Sequence, residues 1–304
     1  MDPVQRLREL LNQRSAAGQA TCLGEAGELA WRGSGWTASL RTLGLEPESQ
    51  RSNVSLGLRS VHCGPMEGLL AVLASGGPKD YRGFVAAGQA IVDVLDAFEA
   101  PLLATADVAP TLRRAVLNAH DAIWALSHQK TRDPRASHPV VANRGAGSLR
   151  GIGAELAIAL ALEDTLWGTW VGAVELLLLQ GGRLRRLNLP HTLVNERGYS
   201  SLGVEREDYH RFVVLRVLGL AERAPDFEVT RLDLATNDRV LLGTSDLTDA
   251  LAGWDPTTAP QSSGDLGRGL LRRFDPSSSE FAASVGLLER GRRRSDRAGE
   301  LPRS

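Results

Sequence analysis

The pattern of apolar and polar positions is most informative between Gly151 and Leu193, where apolar runs are separated by two turn signals. The first turn signal is Glu163-Asp164 and the second is Gly181-Gly182. Two consecutive glycines between extended apolar runs are typical of a β-hairpin, because primed turns need positive φ at their central residues. The runs are too short for helices and too apolar for exposed strands. They predict three sequential antiparallel strands in the middle of a large β-layer.

Two tryptophans in this stretch indicate how the β-layer is covered. Trp167 and Trp170 are three residues apart, so a regular strand would point them to opposite faces. Two large rings on opposite faces are most simply explained as core residues. They predict a sheet that is covered on both sides.

Elsewhere the apolar pattern predicts a pair of helices and several further strands. Helical spacing runs from Phe84 to Phe98 and from Leu112 to Leu126. Hairpin-like segments are predicted at Thr21–Trp31 and Trp36–Leu45, and strands at Leu56–Val61, Gly68–Leu73, Phe227–Leu234, Arg239–Leu242 and Phe281–Leu288. Further helices are predicted at Asp2–Gln13, Asp208–Leu220, Asp246–Ala252 and Gly267–Phe274. Many strands in antiparallel runs, with helices inserted as a pair, predict an α+β layered sandwich rather than a βαβ alternation.

Charge and cysteine content exclude several classes of function. The chain of 304 residues has 35 Lys and Arg against 36 Asp and Glu, a balance that favours neither nucleic acid nor a membrane surface. Cys22 and Cys63 lie far apart, which indicates neither a disulfide framework nor a zinc site. No signal-peptide pattern and no membrane-spanning apolar run is present. We therefore expect a soluble, cytoplasmic protein that binds neither nucleic acid nor membranes.

The sequence words inside these elements resemble those of PPM-type (protein phosphatase 2C-like) metal-dependent protein phosphatases. The family words G-T-T-L, V-G-D-S-R and S-D-G correspond here to residues 153–156 (GAEL), 171–175 (VGAVE) and 244–246 (TSD). The resemblance extends from about Trp36 to Leu288. It implies two antiparallel β-sheets face to face with helices outside them. It places a PPM-like domain over 35–289, preceded by an N-terminal helix and hairpin extension over 1–34. The charge run ERGRRRSDR at residues 289–297 predicts a basic, disordered tail over 290–304.

The resemblance implies a metal site, and this chain departs from it. In the family, two Mg²⁺ or Mn²⁺ ions held by Asp side chains activate a water that attacks phosphoserine or phosphothreonine. Serine stands at three of the corresponding positions, Ser55, Ser75 and Ser245, and Ala173 replaces a further acidic residue. A neutral hydroxyl is a weaker ligand than a carboxylate for a divalent cation. Three such losses would abolish a dinuclear centre.

These departures predict a pseudophosphatase, which is not an enzyme and holds no metal or other cofactor. Its vestigial active-site positions are Arg51, where the family has a phosphate-contacting arginine, and Ser55, Ser75, Gly76, Ser245, Asp246 and Asp275. The predicted role is binding of a protein partner, either a Ser/Thr kinase or a phosphoprotein of a bacterial signalling system.

Two alternatives stay open. The first is an active Mn²⁺- or Mg²⁺-dependent Ser/Thr phosphatase whose remodelled site uses Asp80, Asp246 and Asp275. The second is a structural subunit that forms a homo-oligomer through its tryptophan-rich strand or its N-terminal helix.

Overall fold

A computed structural model of the chain describes residues 19–25, 27–33, 36–42, 51–77, 81–128, 151–196, 213–244, 251 and 284–290. Within these residues two six-stranded sheets form, and every strand pairing in them is antiparallel. The first sheet has the order β1 (Gln19–Glu25), β4 (Arg51–Cys63), β5 (Met66–Gly77), β6 (Gly153–Leu162), β7 (Thr165–Val171) and β10 (Val229–Asp233). The second sheet has the order β2 (Gly27–Gly33), β3 (Trp36–Thr42), β12 (Ser284–Arg290), β11 (Arg239–Gly243), β8 (Glu175–Gln180) and β9 (Arg183–Arg186). The predicted α+β sandwich of two antiparallel sheets is confirmed.

Helices cover the first sheet on its outer face. They are α1 (Tyr81–Ala97), a 3₁₀ turn (Thr105–Asp107) and α2 (Val108–His128), and a short helix α3 (Leu193–Glu196) follows later in the chain. The two helices predicted from apolar spacing are therefore confirmed. Among the helices of the described residues, none has the length and hydropathy needed to cross a membrane.

The first sheet is buried on both faces, and its strands divide their side chains between two cores. Along β5, Leu69 and Leu73 belong to the core between the two sheets, whereas Leu70 and Val72 pack under α1 and α2. Burial on both faces explains why the central strands have nearly continuous apolar sequences. The tryptophans of β7 follow the same alternation as predicted, because Trp170 lies between the sheets and Trp167 packs on the helical side.

The predicted central β-layer is wrong in one respect, since its strands are shared between the two sheets. The hairpin β6–β7 belongs to the first sheet and the hairpin β8–β9 to the second. The chain crosses between the sheets at residues 172–174, where Gly172 has a φ of 98°. Apolar alternation predicts the local pairing within each hairpin, but it carries no signal for which sheet the hairpin joins.

A second prediction fails at residues 213–220, which form no helix although their apolar spacing permits one. Val214 instead forms a β-bridge with Thr192, and Leu218 forms one with Ala154. The N–H groups of Leu215 and Leu218 donate to distant carbonyls, so long-range pairing replaces the intrahelical bonds.

Several other predictions fall outside the described residues. These are the helices predicted at 2–13 and 267–274, nearly all of the one at 246–252, and the first part of the one at 208–220. The proposed domain boundaries at residues 35 and 290 stay a prediction. Strands β1 and β2, on the N-terminal side of the first boundary, pair with β4 and β3 beyond it.

Candidate active site

Four of the positions predicted from the sequence, Arg51, Ser55, Ser75 and Gly76, lie on β4 and β5 at one end of the sandwich. In the first sheet, β4 begins, β5 ends, β6 begins and β7 ends at this end. The pairing register sets Ser75 of β5 between Val54 of β4 and Glu155 of β6. A glutamate therefore stands directly beside the serine that occupies an expected aspartate position.

The second sheet contributes to the same end through the turn that leaves β7. Residues 172–174 connect β7 to β8, and the first residue of β8, Glu175, pairs with the last residue of β11, Gly243. Thr244 follows directly, and its buried Oγ1 has no hydrogen-bond partner among the described residues. The segment with Ser245 and Asp246 continues from this point outside the described part of the chain.

The structure separates two of the predicted site serines onto different faces of the first sheet. Ser75 alternates with Leu73, and Glu155 with Ala157, so both are on the face that meets the second sheet. Ser55 is instead paired with Ala74 on the helical face. Its hydroxyl is fully buried and lacks a partner among the described residues. Ser55 and Ser75 both occupy positions where the family resemblance implies an aspartate, but their side chains lie on opposite faces of the sheet and do not form one cluster of ligands.

Gly76 is explained by close packing of the backbone. A Cβ at Gly76 would lie 1.8 Å from the carbonyl oxygen of Gly83 in α1, so no larger residue fits there without moving the helix. The Nδ2 of Asn53 donates to the carbonyl oxygen of Gly76 over 2.6 Å. These contacts hold the end of β5, including Ser75, against the start of α1.

Glu155 is the candidate functional residue that the sequence analysis missed. Its Oε2 accepts a hydrogen bond from the N–H of Ala173 over 2.5 Å. Ala173 stands where the family resemblance implies an acidic residue, so a carboxylate lies at this place although residue 173 has none. The available signal was the word GAEL at residues 153–156, in which Glu155 replaces a threonine of the family word.

In the turn at residues 172–174, the absence of a side chain at Gly172 leaves space for the side chain of Glu155. A Cβ at Gly172 would lie 2.6 Å from the Cβ of Glu155 and 2.5 Å from its Cγ. Glycine is also suited to the φ of 98° at this position. Gly172 and Glu155 therefore fit each other closely.

His191 holds the same turn from a second direction. The N–H of Gly172 donates to Nδ1 of His191 over 3.2 Å, and the N–H of His191 donates back to the carbonyl oxygen of Gly172 over 2.8 Å. Burial and the nearby Arg216 lower the pKa of His191 to about 4, against a smaller opposite effect of Glu196. The imidazole is therefore neutral at pH 7, and its Nδ1 accepts the hydrogen bond.

The donor atoms at this end suit a hard divalent cation. The carboxylate of Glu155 and the hydroxyl of Ser75 are oxygen donors, which Mg²⁺ and Mn²⁺ prefer over nitrogen and sulfur. The described residues contain no group of three or more His, Cys, Asp or Glu side chains that could hold a metal ion. Four further candidate donors lie outside the described part of the chain: Asp80, Ser245, Asp246 and Asp275. The side chain of Arg51 is not described either.

Solved structures of serine/threonine phosphatases share this fold. The S. agalactiae serine/threonine phosphatase is 16% identical with a TM-score of 0.67, and the match covers 84% of this chain and 99% of that one. The Mycobacterium tuberculosis phosphatase PstP/Ppp is 18% identical with a TM-score of 0.64, over 87% of this chain and all (100%) of that one. The PstP catalytic domain in complex with 2 manganese ions is 21% identical with a TM-score of 0.61, over 84% of this chain and 97% of that one. Neither a protein-family model nor a curated protein sequence matches the chain.

The comparisons correct two predictions. The prediction that the chain is not an enzyme is contradicted, because the solved structures that share its fold over most of its length are serine/threonine phosphatases. The prediction that it uses no cofactor is contradicted by the manganese-bound structure. Glu155 stands at none of the family's acidic positions, yet it brings a carboxylate to the site end from a neighbouring strand.

Proposed function

We propose that this chain, which has the fold of the PPM-type serine/threonine phosphatases, is itself a metal-dependent phosphatase acting on phosphoserine or phosphothreonine in proteins. The observation that carries the proposal is the extent of the fold match. The match covers 84% to 87% of this chain and 97% to 100% of the three phosphatases. Within this chain, Ser75, Glu155 and the turn at residue 173 meet at one end of the sheets.

The proposed site is a remodelled one. Asp246 and Asp275 would provide carboxylates, Asp80 would add another from the loop after β5, and Arg51 would contact the substrate phosphate. A bound Mn²⁺ or Mg²⁺ would supply an activated water at neutral pH. Within the described residues, His191 and Glu155 fix the turn between β7 and β8, which keeps this side of the site in one geometry. A phosphorylated Ser/Thr kinase is a candidate substrate, together with that kinase's own targets.

Hydrolysis of an aryl phosphate and of phosphothreonine peptides, with and without Mn²⁺, tests this proposal. We expect Mn²⁺-dependent turnover that a chelator abolishes. The Asp246→Asn variant should lose at least about a hundredfold in kcat/KM, because the carboxylate would bind the metal directly. Asp121→Asn is the matched control, since Asp121 is exposed on α2.

The outcomes separate the proposal from its alternatives. Turnover that is lost in Asp246→Asn and kept in Asp121→Asn supports it. Absence of turnover by folded wild-type protein with Mn²⁺ and with Mg²⁺ contradicts it. Turnover that is equal in both variants also contradicts it, because the activity would then come from a contaminating phosphatase or from a different site.

A further inference from the structure

We infer that Glu155 is a ligand of the divalent cation, and that it supplies from β6 the carboxylate that residue 173 lacks. The inference rests on the proposed function and adds a metal ligand to it. Its starting observation is the contact between Glu155 Oε2 and the N–H of Ala173, which puts a negative charge at the backbone of the residue where the family resemblance implies an acidic side chain.

The position of Glu155 on its strand supports a role at the site rather than in the core. Towards the middle of β6, the face between the sheets continues with Ala157, Ala159 and Ala161, all fully buried. Glu155 is the next residue on this face towards the site end and is only half-buried. Small apolar residues suffice for packing along this face, so packing does not explain a glutamate. A carboxylate at such a position is favourable when a cation or hydrogen-bond donors compensate its desolvation.

The neighbours of Glu155 are suited to a hard cation. Ser75, its direct cross-strand partner, adds a hydroxyl on the same face of the sheet. Thr244 directly follows the last residue of β11 at the same end of the sandwich, and its buried Oγ1 has no partner among the described residues. Thr244 alternates with Leu242, which is in the core between the sheets, so its side chain is on the face towards Glu155's sheet. Carboxylate and hydroxyl oxygens match the preference of Mn²⁺ and Mg²⁺ for oxygen ligands.

The carboxylate is also held in place before any ion arrives. It accepts a hydrogen bond from the N–H of Ala173. The N–H of the preceding residue, Gly172, donates to His191, so the turn itself is held in place. The close fit between Gly172 and the side chain of Glu155 restricts that side chain further. A ligand that is ordered in advance costs less entropy when the ion binds.

Calorimetric titration with Mn²⁺ tests the inference without relying on enzyme activity. We expect Glu155→Gln to bind Mn²⁺ at least tenfold more weakly than wild type. Glutamine keeps an oxygen that can accept the N–H of Ala173, so this variant removes the charge with little change in the turn. Glu67→Gln is the matched control, because Glu67 is exposed at the opposite end of β5 and should leave the affinity unchanged.

A rescue experiment adds a second, independent readout. Glu155→Thr restores the family residue at position 155 and should weaken Mn²⁺ binding at least as much as Glu155→Gln. Adding Ala173→Asp returns a carboxylate to the position that the family uses, and we expect it to recover most of the lost affinity. The double variant keeps one carboxylate at the turn, so it still tests the inference if Glu155→Gln does not fold.

The outcomes distinguish this inference from the proposed function. If wild type binds Mn²⁺ and hydrolyses phosphopeptides while Glu155→Gln binds the ion equally well, the inference is overturned and the proposed function stands. If wild type binds no Mn²⁺, both are overturned. Weaker binding in Glu155→Gln, with Glu67→Gln unchanged and Ala173→Asp restoring the affinity of Glu155→Thr, supports the inference.

Discussion

The two ends of β7 show two ways of holding a turn. At the end away from the candidate site, the turn Glu163-Asp164 closes a local hairpin, and the carbonyl of Asp164 accepts the backbone N–H of Leu234. At the site end, the N–H groups of Gly172 and Ala173 donate to side chains instead, those of His191 and Glu155. The first turn depends on backbone pairing, whereas the second depends in addition on two side chains from other parts of the chain.

This difference has a physical consequence for how each end responds to change. Backbone pairing is insensitive to pH and tolerates most side-chain substitutions. A turn held by an imidazole depends on the protonation of that imidazole, and this turn also depends on the close fit between Gly172 and Glu155. We therefore expect substitutions and acid to affect the site end much more strongly than the other end.

The largest effect is expected from Gly172→Ala. The new Cβ would lie 2.6 Å from the Cβ of Glu155, which cannot move without its backbone, and the residue would keep a φ of 98°. We expect a loss of about 3 kcal/mol in the free energy of unfolding, measured by urea denaturation. Gly181→Ala is the control, because its φ is 55° but nothing lies within 4 Å of the added Cβ. It should lose about 1 kcal/mol. If both variants lost the same free energy of unfolding, the close contact between residue 172 and Glu155 would not contribute to stability.

A smaller effect is expected from acid. The pKa of His191 is about 4 in the folded chain, below the ordinary value of about 6.5 in the unfolded chain. Between these values the unfolded state binds the proton and the folded state does not, so stability falls as the pH falls. The loss should be about 2 kcal/mol between pH 7 and pH 4.5.

The contribution of His191 is isolated by comparing urea midpoints of wild type and His191→Asn at the two pH values. The variant should show a smaller loss on acidification than wild type, since asparagine does not titrate. His62→Asn, which alters an exposed histidine near the end of β4, is the control and should lose as much stability on acidification as wild type. The same acid loss in His191→Asn as in wild type would show that other groups cause it.

The smallest effect is expected at the other end of β7. Thr165→Val removes a 3.4 Å hydrogen bond from Oγ1 of Thr165 to Asp233 at an exposed position. Valine suits a strand well, so we expect a change below about 0.5 kcal/mol in the free energy of unfolding by urea. A loss above about 1 kcal/mol would mean that this end also depends on side-chain contacts.

Much of the local structure was predictable because its causes are local. Gly181 and Gly182 do adopt positive φ, at 55° and 73°, and the hairpin β8–β9 forms around them. The helical spacing from Phe84 to Phe98 does produce α1. The segment around Leu218 was predicted wrongly, because its partner Ala154 is distant in sequence and competes successfully with the helix.

The candidate site was less predictable, for reasons of geometry. Serine at residues 55 and 75 was visible in the sequence, but only the pairing register shows that Ser55 faces α1 while Ser75 faces the second sheet. The residues next to Ala173 do not show that Glu155 lies beside it, because Glu155 reaches it from the neighbouring strand.

By itself the sequence determined the strands and helices around the site, the hairpin turns and the resemblance to a phosphatase family. Those features depend on the period of apolar residues, on backbone angles that glycine allows and on words of a few neighbouring residues. Only the tertiary structure decided which sheet each hairpin joins, which serine faces the site and which carboxylate stands beside residue 173. These depend on contacts between residues far apart in the chain, which no local pattern specifies.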